Sequence, residues 1–155
     1  MRRKDREKPY DWAYNVLKNT EYAFLSMTDP SGAPYCIPIS PVVDGDVLYF
    51  HCAAEGKKAD CIRRDGRVCI ACAGNTHVLQ EEFTTEYESA VAFGNARFIE
   101  NDTEKTEALV KLCEKYSPSV PVQKVLAAIE KSLHRTAVCR VELTEITGKA
   151  KEKKQ

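Results

Sequence analysis

Two tight turns, Asp29-Pro30-Ser31-Gly32 and Asp44-Gly45-Asp46, cut the early part of the chain into short extended runs with no helix between them. Strands joined this closely pair as antiparallel hairpins, because a parallel connection needs about a dozen residues or more. The runs cover residues 22–28, 34–43 and 47–52, and the last of them, VLYFHC, is rich in aromatic and β-branched residues. Pro34, Pro38 and Pro41 lack the amide hydrogen that a ladder needs, which predicts that the second run is an edge strand or a bent one.

The remaining elements follow from periodicity and punctuation. Asp11 is expected to cap a short helix with Trp12, Ala13, Val16 and Leu17 on one face. Residues 53–56 form a tight loop into a short helix over 57–64, stopped by Asp65-Gly66. A strand covers 67–73, residues 74–85 read as loop or ragged strand, and a long strand covers 87–100, where Gly94 marks a bulge or close packing. Asp102 or Thr103 caps a helix to Tyr116, in which Leu109, Leu112, Cys113 and Tyr116 repeat at helical spacing, and Ser117-Pro118 breaks it. A second helix begins near Pro121 and is expected to turn Val122, Val125, Leu126, Ile129 and Leu133 inward. In the closing strand, 136–146, Cys139, Val141 and Leu143 alternate with Arg140, Glu142 and Thr144. Strand and helix do not alternate as in a parallel dinucleotide fold, and GxGxxG is absent. The expected fold is therefore mainly β with peripheral helices, an antiparallel, Greek-key-like barrel. One domain over 1–148 fits the length, followed by a basic, frayed tail at 149–155.

Charge narrows the function. Lys plus Arg (23) equal Asp plus Glu (23), so no global field draws the protein to nucleic acid or an anionic membrane. Neither a secretion signal nor an apolar run of membrane-spanning length is evident, and seven scattered cysteines fit reduced thiols, so a soluble, cytoplasmic protein is expected. Cys69 and Cys72 have C-x-x-C spacing, but residues three apart in a strand face opposite ways, and no second ligand pair exists for zinc; no metal site is expected. Nothing resembles a hydrolase elbow.

The junction from His51 to Lys58 stands out. A helix N-terminus favours an anion, Gly56 allows close approach, and Lys57 and Lys58 add two positive charges, a pattern suited to phosphate that taken alone is more often a solvated helix start. His51 shares a strand face with Val47 and Tyr49, and is either a core histidine or a residue at the mouth of a site.

The run PYCIPISPVVDGDVLYFHCAAEGKKADCIRRDGRVC, then YESAVAFGNARFIEND and CRVELTEITGKA, resembles the pyridoxamine phosphate oxidase-like flavoproteins, and most of all the branch named for nitroimidazole resistance. Its most specific part is YFH-x-A-x-E-G-K-K. The resemblance implies a split β-barrel, a homodimer with FMN between subunits, and reduction of a small electron-poor molecule, with nitroaromatics as candidates and a nicotinamide or other donor. It implies that Pro38, Ile39 and Ser40 lie along the flavin ring. His51, Cys52 and Ala53 would lie near the ribityl chain and phosphate, Lys57 and Lys58 on the phosphate, and Ser89 in the same pocket. Relatives often carry Asn at position 40 and Ser or Gly at position 52. No catalytic acid or base is assigned, since the isoalloxazine carries the electrons. The alternative is a non-catalytic flavin- or haem-binding module, with His51 as a candidate axial ligand.

Overall fold

The computed structural model describes residues 2–152. One eight-stranded antiparallel sheet dominates. Seven strands lie in the order β3-β2-β6-β7-β8-β5-β4: β2 (Ala23–Thr28), β3 (Pro34–Ile39), β4 (Val42–Asp44), β5 (Val47–Ala53), β6 (Arg67–Leu79), β7 (Thr84–Phe98) and β8 (Thr136–Lys151). A two-residue strand, β1 (Glu7–Lys8), adds to β8. Helices α1 (Tyr10–Asn19), α2 (Lys57–Arg64), α3 (Asp102–Tyr116) and α4 (Val122–Ser132) are peripheral.

The two edge strands, β3 and β4, are joined only by Ser40 and Pro41. A link this short spans about 10 Å, so the sheet must roll until its edges meet. They meet without pairing, which makes the barrel a split one. The proline-rich run thus ends as an edge strand, as its missing donors predict, and breaks in two at Ser40-Pro41.

Two apolar layers follow. Leu25, Leu48, Phe50, Ile70 and Val141 fill the barrel, with Ala13 and Leu17 of α1 packed against them. Outside it, Val47, Tyr49 and Val138 meet Leu109, Leu112, Val125 and Ile129 of α3 and α4, whereas Val122 and Leu126, expected to turn inward with them, lie on the exposed side of α4. Strand β5 is covered on both faces, which explains why VLYF is apolar without alternation.

Several boundaries differ from expectation. Asp11 lies in the first turn of α1, where it meets the helix dipole, and Pro9 is the cap. Asn101, not Asp102 or Thr103, caps α3, its side chain accepting from the amides of Thr103 and Glu104. Residues 74–85 largely continue the β6–β7 hairpin past a register shift between Ala73 and Thr76. The tail is not frayed from 149: Lys149, Ala150 and Lys151 pair with Ser89, Glu88 and Tyr87. Its last part, 153–155, lies outside the described residues. Cys69 is half-buried and Cys72 buried on opposite faces of β6, as strand geometry requires. Among the described residues, no helix is long and apolar enough to cross a membrane, and no three His, Cys, Asp or Glu side chains are grouped to hold a metal ion.

Candidate functional site

The site grows from the end of β5. Residues 47–50 are buried, and at His51 the cover of α3 and α4 gives out. Strand alternation sends His51 outward with Val47 and Tyr49, while Cys52 turns inward beside Phe50 and Cys139. The expected trio therefore divides: the exposed His51 and Ala53 share one face, and the half-buried Cys52 takes the other. A ligand could meet all three only through the backbone. Burial pushes the Cys52 thiol up, opposed in part by Lys58 and Arg63 nearby.

Ser40 reaches the same place from the barrel's other edge. Val42 pairs with Tyr49, and continuing that register two residues beyond the ladder sets Ser40 opposite His51. Both line a cavity of ≈ 440 Å³ between β5, α3 and α4. Ile39 does not join them: it is 6% exposed and packs inside the barrel, whereas Pro38, across from Phe24, is exposed on the sheet's outer face. Alternation again separates side chains that the sequence places side by side.

At the start of α2, Gly56 holds φ +116°, a conformation that favours glycine, and no side chain caps the helix amides. The two lysines part here. Lys57 forms an ion pair with Asp29 at 3.0 Å and lies 4.7 Å from the centre of the Tyr35 ring. Asp29 belongs to the β2–β3 turn, where its carboxylate also accepts from the Ser31 hydroxyl and from the amides of Ser31 and Ala33. The Ser31 hydroxyl and the Lys57 ammonium hold the Asp29 carboxyl well below the usual carboxylate range. Lys58 is half-buried, 5.5 Å from the centre of the Phe50 ring, with no carboxylate partner among the described residues.

Ser89 stands apart. Its hydroxyl donates to the Lys149 carbonyl, and the two residues pair near the C-terminal end of β8, whereas His51 pairs with Val138 near its start. Within one protomer the structure does not bring Ser89 to the other candidates.

Sequence reasoning missed the clasp that holds Ser40. The Lys115 ammonium donates to the carbonyls of Lys18 (2.9 Å), Thr20 (2.7 Å) and Pro41 (2.7 Å). The Tyr116 hydroxyl lies 2.7 Å from the Pro41 carbonyl and 2.8 Å from that of Glu21. Burial lowers the Lys115 pKa and pushes the Tyr116 hydroxyl up to about 12. Tyr116 carried a signal as part of a helical stripe. Lys115 carried none, since its partners are backbone carbonyls.

The sequence profile described as pyridoxamine 5'-phosphate oxidase matches residues 11–150. No curated protein matches. Among solved structures, a Bacteroides thetaiotaomicron protein provisionally described as a 5-nitroimidazole antibiotic resistance protein is 25% identical, over 94% of this chain and 89% of its own, with a TM-score of 0.74. An FAD-binding protein from Mesorhizobium loti is 17% identical over 95% of this chain and 98% of its own, with a TM-score of 0.67. The FAD and haem binding protein of Mycobacterium smegmatis is 18% identical over 96% of this chain and 74% of its own, with a TM-score of 0.76. The last two likenesses show the fold.

Proposed function

The chain belongs to the pyridoxamine 5'-phosphate oxidase family, and on that premise we propose that it is an FMN-dependent oxidoreductase that reduces a small electron-poor acceptor. The observation that carries this reading is the setting of Lys58. A half-buried lysine with no anionic partner among the described residues, beside a helix start whose amides no side chain caps, is built to receive an oxyanion. The terminal phosphate of a flavin nucleotide has that chemistry.

In this reading Lys58, the backbone at Gly56 and the first amides of α2 hold the phosphate, and the backbone at Cys52 and Ala53 runs beside the ribityl chain. Pro38, Ser40 and His51 border the ring. When bound, the isoalloxazine supplies two-electron transfer between a donor and an acceptor. The protein's part is to hold it, to shield it from water and to orient the acceptor. His51 is exposed and makes no side-chain hydrogen bond among the described residues, so its ring can donate to an acceptor's oxygen. Nitroaromatic compounds are proposed as acceptors, and the relative described for 5-nitroimidazole resistance supports this choice.

A homodimer is part of the proposal. The outer face of β2, β3, β6 and β7 leaves Phe24 at 46% and Phe93 at 43% exposure, with Tyr22 beside them at 58%. A second copy on this face would bury three aromatic rings and give the flavin a second wall.

The test is to purify the protein, record its absorption spectrum after FMN reconstitution, add NADH or NADPH without oxygen, and then add a nitroaromatic. Flavin bands that bleach and then return support the proposal; a protein that takes up no flavin, or whose flavin exchanges electrons with nothing, rejects it. A second reading rests on the apolar cavity beside His51, whose imidazole could ligate haem, as the flavin- and haem-binding relative invites. A Soret band would favour it.

A further inference from the structure

The cavity under α3 and α4 lies outside the phosphate-holding residues and has its own chemistry. Its walls are Leu109 and Leu112 from α3 and Ala128 and Ile129 from α4. Five hydroxyls line it, those of Ser40, Tyr116, Ser117, Ser132 and Thr136, and three of them already donate to backbone carbonyls. Tyr116 is held by Pro41 or Glu21, Ser132 donates to Ala128 (2.9 Å), and Thr136 donates to Ser132 (3.0 Å). The Ser40 and Ser117 hydroxyls and the His51 imidazole remain without a side-chain hydrogen bond to the protein among the described residues, His51 being exposed at one side.

Position 51 decides the character of the space. It lies in the same layer as Val47 and Tyr49, where an apolar side chain would complete the packing of α3 and α4 against β5. An imidazole there gives a mostly apolar slot a ring N–H donor along one side, opposite the Ser40 position. At ≈ 440 Å³ the slot lies in the range of small-molecule sites, roughly 300–1,000 Å³, and suits a fused-ring molecule better than a peptide helix.

We infer that the α3–α4 cleft binds a small planar, mostly apolar molecule that turns one oxygen acceptor group, a carboxylate or nitro oxygen, toward His51. As the seat of the electron acceptor this rests on the flavin reading; as a binding site it stands without it. Ser40 lies on the wall shared by the cleft and the proposed ring position, so a molecule held here would be presented to the ring's edge.

The probe is 1-naphthoate, titrated by calorimetry into the purified protein, with flavin content read from the absorbance of the same sample. Two variants accompany it. Ala128→Phe fills the slot from an exposed helical position that leaves the core untouched, and His51→Leu removes the donor. Wild type is expected to bind one naphthoate per chain. Ala128→Phe should lose binding at unchanged flavin content and circular dichroism, and His51→Leu should weaken it about tenfold, the loss of one hydrogen bond to a charged group. A folded wild type that binds no naphthoate, or binding that ignores Ala128→Phe, overturns the inference. A colourless protein that still binds naphthoate in an Ala128-dependent way keeps the cleft and rejects the flavin reading. A flavin-loaded protein whose naphthoate binding ignores both substitutions does the reverse.

Discussion

Lys57 and Lys58 are neighbours in sequence, but a helix turns by about 100° from one residue to the next, so their ammonium groups leave α2 in different directions. One direction leads to Asp29 at the tip of the β2–β3 hairpin, the other over Phe50 toward Cys52. The account therefore predicts unequal effects. Lys58→Ala should weaken FMN binding by about ten- to a hundredfold, the range for a charge-assisted contact, whereas Lys57→Ala should change it little. Fluorescence titration of the apoprotein with FMN measures both, and equal losses would contradict the division. Asp29 adds a pH dependence. Its carboxyl is depressed in the folded state, so it contributes stability above its ordinary range near 3.8, and that contribution fades as pH falls through the folded value. Acid denaturation followed by circular dichroism should be shallower below pH 4 in Asp29→Asn than in wild type; an unchanged slope would remove Asp29 from the turn's energetics.

Among the elements, the link between β3 and β4 depends most on distant parts of the chain. Pro41 is fully buried, and its carbonyl is clasped by Lys115 and Tyr116 from the end of α3. Tyr116 holds its proton more tightly in the fold than its ordinary value of 10, so its contribution is intact below that pH and is lost as pH rises toward about 12. Tyr116→Phe should remove this alkaline loss, visible as a flatter melting temperature as pH rises from 10 toward about 12. Gly94 constrains β7 differently: a Cβ there would strike the Glu142 carbonyl and stand 2.8 Å from Val141 Cγ1, at the register shift between β7 and β8. Gly94→Ala should cost about 1–3 kcal/mol in chemical denaturation, the usual toll of overpacking. This close packing was legible from a lone glycine in a long strand. Lys115 was illegible, because its partners sit on three separate segments and leave no local pattern.

For the whole molecule, the two hairpin turns, the three prolines and the C-terminal alternation of Cys139, Val141 and Leu143 were enough to give an antiparallel sheet with an edge at β3. The expected barrel is the one observed, but its strand order was not legible, because it brings β5 beside β8 and β2 beside β6 across long stretches of chain. The candidate site was legible in part for the same reason. Ser40 and His51 share one cavity and Lys58 lies over Phe50 at the start of α2, while Ile39 and Cys52 turn into the barrel by strand alternation and Ser89, in β7, pairs with the far end of β8. A dimer through the sheet's outer face would leave these positions beside its seam, and sedimentation of Phe24→Glu should then shift from dimer toward monomer. The central claim, that the start of α2 and Lys58 receive the flavin's terminal phosphate, is tested most directly by a crystal structure of the protein grown with FMN. The account predicts phosphate oxygens within about 3 Å of the first α2 amides and of Lys58 Nζ. A flavin whose phosphate lies elsewhere, with Lys58 still resting on Phe50, would contradict it.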